Sequence, residues 1–321
     1  MPDDQFDRVP PQDIDAEMSV LGSMMLTSEA ANAVSEMLRG EDFYQPRHET
    51  IFDTIIELNG RAEPADAITV AGELKRAGAL SKVGGAAYLH SLIASVPTAA
   101  NATYYARIVR EKALMRGLVQ AGTRIAQLGY STDAVLERIG EVGQAGLQRN
   151  CTLPADVALA RANDPLATLI RLFLLRQEVP AAVVDRAFGD CLGDVLAEKI
   201  VALDGQSARA VVELRPYASP DDGASGWLVS DLTPGLDGLV EPIRPDYVLG
   251  ASPASLTLAE ITMRQPVGRA LDLGTGCGVQ SYHLSRHADR VVATDLNPRA
   301  PRLARLGAAL SGMDVDFREG S

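Results

Sequence analysis

The sequence predicts a multidomain chain: an all-α helical bundle first, a small α+β module next, and part of an α/β sheet last. Three observations predict this. The length of 321 residues exceeds the usual single-domain range. Apolar residues over 1–130 recur at helical spacing, with no sustained alternation of strand type. Toward the end, short apolar strands alternate with helical stretches around a glycine-rich turn, the pattern of a parallel sheet. The boundaries read from these changes are 1–130, 131–240 and 241–321.

The net charge of −12 is spread over the chain: residues 1–130 hold 12 Lys/Arg against 17 Asp/Glu, and the remainder 18 against 25. Neither part has the clustered basic charge that phosphate contact needs, so direct nucleic-acid binding is not evident. Cys151, Cys191 and Cys277 are odd in number and far apart, which fits a reducing compartment rather than a disulfide framework. The acidic start, with Asp3, Asp4 and Asp7, lacks the basic and apolar regions of a signal peptide. The most apolar stretch, Leu166 to Leu175, is too short for a membrane span. A soluble cytoplasmic protein with no membrane contact is the expectation.

Each helix of the front region has its own apolar stripe. Met18, Leu21 and Met25 begin the first, Ile51, Ile55, Ile56 and Leu58 form a second, and Val70, Leu74 and Leu80 a third. Gly84-Gly85 predicts a hinge before Tyr88, Leu89 and Leu92, and Pro97 a stop. From Asn101 to about Leu128 one long amphipathic helix is expected, with Tyr104, Ile108, Leu114, Leu118 and Ile125 near one another. His48 and His90 have no ligand-spaced partners and read as structural or surface residues.

The opening Pro10-Pro11-Gln12-Asp13-Ile14-Asp15-Ala16-Glu17-Met18-Ser19-Val20-Leu21-Gly22 resembles that of DnaB-type replicative helicases. Phe43-Tyr44, His48, Ile51-Phe52, Gly84 to Leu89, Pro97 to Asn101, Tyr104 to Val109 and Lys112 follow in that family's order. The resemblance covers roughly 130 residues. It implies a non-ATPase N-terminal domain that forms homo-oligomers and contributes to contact with primase. The motor's phosphate-cradling Gly-x-x-x-x-Gly-Lys-[Ser/Thr] loop occurs nowhere in the sequence, so unwinding is not expected.

The family pattern fades after Gly129-Tyr130. Thr132-Asp133 are candidate caps for a helix bearing Val135, Ile139, Val142 and Leu147. That helix either imitates the hairpin partner of the family's long helix or leads into a different protein type; the second is favoured, with the join near 128–132. Pro165 then opens an apolar helix, Leu166 to Leu174, and shorter helices follow around Val183–Phe188 and Leu192–Lys199. Ala210 to Leu214 and Trp227 to Leu232 read as strands around a Ser219–Gly226 loop. Three helices and a ribbon predict a winged-helix-like module, with packing or substrate positioning favoured over DNA binding.

Val267 to Leu273 is a short strand running into Gly274-Thr275-Gly276-Cys277-Gly278, after which a helix starts. Glycines permit a tight turn close to a ligand, and a helix start favours negative groups. A second strand, Arg290 to Thr294, ends in Asp295, 23 residues after Asp272, where a carboxylate can accept hydrogen bonds from ribose hydroxyls. Taken bare, the turn serves a nicotinamide dinucleotide equally well, but its Asp-x-Gly-x-Gly-x-Gly spacing is not the dinucleotide fingerprint.

Leu271 to Gly278 with Asp295-Leu296-Asn297-Pro298 resembles class I S-adenosylmethionine-dependent methyltransferases, and Arg244 to Gly250 with Leu256-Thr257-Leu258 resembles a subgroup acting on amino groups of nucleic acid or protein. The resemblance implies a Rossmann-like fold, here a truncated half-sheet of three strands. It places Asp272, Gly274, Thr275, Gly276 and Gly278 toward the methionine and ribose of S-adenosylmethionine, and Asp295 with Leu296 toward its nucleoside. No catalytic residue and no metal ligand is expected. Cys277 reads as a small turn residue, Cys191 as core, and His283 and His287 as solvent-facing. A last helix from Pro298 to about Ser311 and a strand over Asp314–Phe317 complete the pattern.

That subgroup's acceptor-binding Asn-Pro-Pro-aromatic string is absent, so weak cofactor binding without methyl transfer is the favoured expectation. The alternatives are an N-methyltransferase whose C-terminal half lies outside this sequence, and a pure assembly module with a passive tail.

Overall fold

The protein, represented by a computed structural model, is described over residues 10–96, 98–239 and 242–320. Asp3, Asp4, Asp7 and Pro97 lie outside them. The described residues form two compact units, one ending at Arg116 and the other beginning at Gly117.

The first unit is helical. It comprises α1 (Ile14–Leu26), α2 (Ser28–Ser35), α3 (Pro46–Gly60), α4 (Ala67–Arg76), α5 (Gly85–Ala94) and the start of α6 (Ala102–Gln127). Short polar side chains set the helix starts. Asp13 accepts the Ala16 N–H at 2.9 Å, Thr27 the Ala30 N–H at 3.1 Å, and Asp66 the Ile68 and Thr69 N–H groups at 2.8 and 3.0 Å. Gly84 and Gly85 take left-handed φ values of 103° and 76°, the hinge the sequence predicts before α5. The stripes converge in one core that includes Leu21, Ile51, Ile55, Val70, Leu74 and Leu89. Each fully buried aliphatic side chain contributes about 1.5–3 kcal/mol, which fixes which face of each helix turns inward. At Gly22 the backbone of α1 approaches α5 so closely that a Cβ would lie 2.6 Å from Val96 Cγ2 and 2.9 Å from the Leu92 carbonyl carbon.

The second unit opens with the end of α6, where Leu118, Ala121 and Ile125 are buried. α7 (Thr132–Leu147) is capped by Ser131 rather than by Thr132 or Asp133, and is kinked at Gly140. α8 (Leu153–Leu159) and α9 (Pro165–Phe173) follow, the latter capped by Asp164. Then come β1 (Val179–Pro180), α10 (Ala181–Phe188), α11 (Leu192–Ala197), β2 (Val201–Asp204) and β3 (Ser207–Ala210), whose antiparallel sheet runs β1-β3-β2.

The strands expected around the Ser219–Gly226 loop are present, their starts shifted by two or three residues, and beside these helices lies a ribbon of residues 201–210 that the sequence did not predict. Its apolar positions are few and small, and Gly205 makes the turn at φ 58°. The predicted strand Ala210–Leu214 is divided: β3 ends at Ala210 and β4 (Glu213–Ala218) begins after Val211-Val212. Among the described residues β4 pairs only with β5 (Ser225–Ser230), as a separate antiparallel hairpin.

After α12 (Pro253–Ile261), β6 (Ala270–Leu273), α13 (Val279–Leu284), β7 (Val291–Asp295), α14 (Arg299–Leu310) and β8 (Asp316–Glu319) alternate strand and helix. The three strands are parallel in the order β6-β7-β8. Ala293 and Phe317 meet Ala304 and Ala308 of α14 in a small core. The opposite face shows Leu271 and Leu273 at 57% and 67% exposure. At Gly307 a Cβ would stand 2.7 Å from the Trp227 carbonyl oxygen, so α14 lies directly on β5. Among the described residues no helix is long and apolar enough to cross a membrane.

Candidate functional site

The predicted glycine turn joins β6 to α13. Gly274, Gly276 and Gly278 take φ values of 72°, 55° and 88°, where a side chain is strained. A Cβ at Gly274 or Gly276 meets nothing within 4 Å, so backbone conformation rather than crowding demands glycine there.

Four of the turn's amides donate within the protein. The Gly274 and Thr275 N–H groups donate to the Thr294 carbonyl at 2.9 and 3.0 Å, and Gly278 N–H to the Thr275 carbonyl at 2.8 Å. Gly276 N–H donates to Asp295 Oδ2 at 2.9 Å. α13 has six residues, and the Gly274, Thr275, Gly276 and Gly278 amides ahead of it already have acceptors.

Asp272 is buried, and its Oδ2 accepts hydrogen bonds from Thr275 Oγ1 and Ser281 Oγ, both at 2.7 Å. Its carboxylate therefore ties the turn to α13. Asp295 is half-buried, and its Oδ1 accepts from the Asn297 N–H at 2.9 Å. A carboxylate offers about four acceptor sites, so two remain for donors such as vicinal hydroxyls. Leu296 beside it is 78% exposed, an apolar surface next to the acceptor. Thr275 and Gly278 are buried and Gly276 half-buried, so the turn presents backbone more than side chains.

Cys277 is buried, which pushes its thiol up to about 11 and fits a small packing residue. Cys191 is buried as expected. His283 is not solvent-facing. It is buried between Asp222 Oδ2, 2.7 Å from Nδ1, and the Tyr217 hydroxyl, 2.6 Å from Nε2. Burial pushes the Tyr217 hydroxyl up to about 12, with Asp222 adding to the shift, so this chain of contacts holds the β4–β5 loop on α13 and supplies no activated phenolate.

A similar chain lies in the helical unit. The Glu17 carboxylate accepts the Tyr44 N–H at 2.7 Å and contacts His48 Nδ1 at 2.6 Å, while His48 Nε2 contacts the Tyr88 hydroxyl at 2.6 Å. Arg47 lies 4.2 Å from the Tyr88 ring centroid. Glu17 and His48 are buried, so the network joins α1, α3 and α5. His48 is structural, as its sequence context implies, and His90 is exposed. Among the described residues no group of three metal-ligating side chains is present.

Residues 9–111, which carry this helical core, match the family model described as DnaB-like helicase N terminal domain. The chain is 59% identical over 130 residues to a replicative DNA helicase DnaB of Mycobacterium leprae, covering 40% of this chain and 22% of that protein. The front of this chain is a DnaB-like helicase N-terminal domain.

A replicative DNA helicase DnaC of Bacillus subtilis is 45% identical over 131 residues, which are 41% of this chain and 29% of that one. The chain thus spans between 22% and 29% of the length of these curated relatives. A crystal structure of the N-terminal domain of DnaB helicase from Mycobacterium tuberculosis is 55% identical, with 44% of this chain and 99% of that one covered and a TM-score of 0.38. Gly22 and the Glu17–His48–Tyr88 network lie inside the DnaB-like domain. Residues 127–211 match a domain of unknown function, DUF7059, a description that assigns no activity.

Proposed function

We propose that this chain joins a self-associating, primase-contacting domain of replicative-helicase type to a unit that holds S-adenosylmethionine without turning it over. The collinear DnaB-like match over residues 9–111 carries the first part. Association is tested by light scattering of the full chain over a range of concentrations. A defined oligomer that tightens with concentration is expected, and a monomer at all concentrations refutes this part. Addition of primase is expected to raise the mass further.

The Asp295 geometry supports the second part. Four of the turn's amides, those of Gly274, Thr275, Gly276 and Gly278, are spent internally, whereas Asp295 retains acceptor sites for ribose hydroxyls. This favours a nucleoside carrying a sulfonium side chain over a dinucleotide. Asp295 would hold the ribose, Leu296 would pack on the base, and Asp272, through Thr275 and Ser281, would keep the turn in shape. Gly274, Gly276 and Gly278 would let the backbone approach the ligand. When bound, the cofactor supplies an electrophilic methyl group. The reading is one of cofactor binding, carried by Asp295. The topology α9-β1-α10-α11-β2-β3 with sheet order β1-β3-β2 supports a winged-helix-like module ahead of this unit. Calorimetric titration with S-adenosylhomocysteine is expected to show saturable binding that Asp295→Ala abolishes; no heat with the parent protein refutes the reading.

A further inference from the structure

The turn that follows β7 does more than present Asp295. Two residues on, Asn297 Nδ2 donates to the Asp246 carbonyl at 2.9 Å. Two residues further, Arg299 Nε lies 3.0 Å from both Asp231 oxygens and its Nη2 lies 2.5 Å from Oδ1. Asp231 is buried, and its Oδ2 also accepts the Val248 N–H at 2.8 Å, while the Asp231 N–H donates to the Val248 carbonyl at 3.1 Å.

The 244–250 segment has no regular secondary structure. Val248 within it is buried, yet Leu249 is 58% exposed and Tyr247 half-buried, so apolar packing holds little beyond one side chain. Its place is set by Asp231 and Asn297, and Asp231 is itself set by Arg299. A planar guanidinium contacting both carboxylate oxygens fixes direction as well as distance, which a lysine does not.

We propose that Arg299 is a positioning residue: its ion pair with Asp231 latches the Arg244–Gly250 segment beside Asp295, so that this segment forms a wall of the nucleoside site. The proposal rests on the reading that Asp295 binds a ribonucleoside, and it names a residue that neither the glycine turn nor the strand-end acid identifies. Arg299 touches no ligand; it acts through Asp231 and Val248. The ligand class that feels the latch is an adenosine-type nucleoside whose ribose reaches Asp295.

The test compares the full-length parent with Asp231→Asn, Arg299→Lys and the double variant Asp231→Asn/Arg299→Met, which removes the charge pair together and guards against a buried orphan charge that blocks folding. Peptide-resolved hydrogen exchange without ligand reads the latch alone. The Val248 amide is expected to exchange at least about tenfold faster in all three variants, the order expected for loss of one charge-assisted contact, with protection of α14 and β5 unchanged. Unchanged Val248 exchange overturns the latch whatever binds.

Titration with S-adenosylhomocysteine then reads positioning. An affinity about tenfold weaker in the variants, with protection of α14 and β5 unchanged, supports the proposal. Parent-like affinity in variants whose Val248 amide exchanges fast overturns it while leaving the nucleoside reading intact. If the parent itself binds no nucleoside, that reading fails first and the positioning role falls with it.

Discussion

Gly22→Ala is the sharpest perturbation of the DnaB-like domain. In a helix interior this exchange ordinarily stabilises by about 1 kcal/mol, because alanine loses less backbone entropy than glycine. Here the new Cβ would stand 2.6 Å from Val96 Cγ2 and 2.9 Å from the Leu92 carbonyl carbon, and closer still to that carbonyl's oxygen. A backbone carbonyl at a helix crossing cannot rotate away, so α1 and α5 must separate by on the order of 1 Å. Overpacking of this kind costs about 1–3 kcal/mol, and it also loosens Leu21 and Leu89, which are fully buried in this core. The expected net effect is a loss of up to about 2 kcal/mol. Gly72 on α4 is the control: it is exposed and a Cβ there meets nothing within 4 Å, so Gly72→Ala is expected to stabilise by about 0.5–1 kcal/mol. Two compact units make a single melting curve composite, so the assay is hydrogen exchange of peptides spanning α1 and α5 in the full chain. A Gly22→Ala protein protected as well as or better than the parent in both helices refutes the close-approach reasoning.

Three further outcomes follow from the same geometry. Tyr88→Phe leaves His48 Nε2 without the hydroxyl 2.6 Å away, and hydrogen exchange of peptides spanning α3 and α5 is expected to show the DnaB-like domain destabilised by about 1–3 kcal/mol; no change means that the network is not structural. Asp66→Ala is expected to cost about 1 kcal/mol at neutral pH through loss of the α4 cap. The Thr69 N–H holds the Asp66 carboxyl below the ordinary carboxylate value; slight burial opposes this, and Ile68 N–H and the Thr69 hydroxyl add to it. The carboxyl's contribution is therefore fully present above the unfolded value near 4 and lost as pH falls through the lower folded value, so parent and variant stabilities should converge in that window. Cys277, with its thiol pushed up to about 11, should resist a thiol reagent at pH 8 while half-buried Cys151 reacts; labelling of Cys277 at the rate of Cys151 means that the turn is open.

Periodicity made the front helices legible because each apolar stripe, such as Ile51, Ile55 and Leu58 on α3, faces one shared core. The glycine turn was legible because its three glycines occupy left-handed backbone, a demand written directly into residue type. The β4–β5 hairpin was legible within a few residues because it is the longer one, while β2 and β3 escaped notice because they are short and Ala-rich. His283 was misread because its partners Asp222 and Tyr217 lie more than 60 residues away in sequence. Glu17, Asp231, Asn297 and Arg299 were missed for the same reason. A polar side chain's partner is set by tertiary contact, and nothing in local spacing announces that Asp231 will meet Val248 and Arg299.

The central claim is a DnaB-like front joined to a unit that binds S-adenosylmethionine and does not transfer its methyl group. The most direct measurement is equilibrium binding of methyl-labelled S-adenosylmethionine to the full chain, with the label then traced between intact cofactor and any protein or nucleic-acid acceptor. Saturable binding competed by S-adenosylhomocysteine, lost in Asp295→Ala, with all label remaining on the cofactor, is the expected result. Label appearing on an acceptor, or no competable binding at all, contradicts the claim.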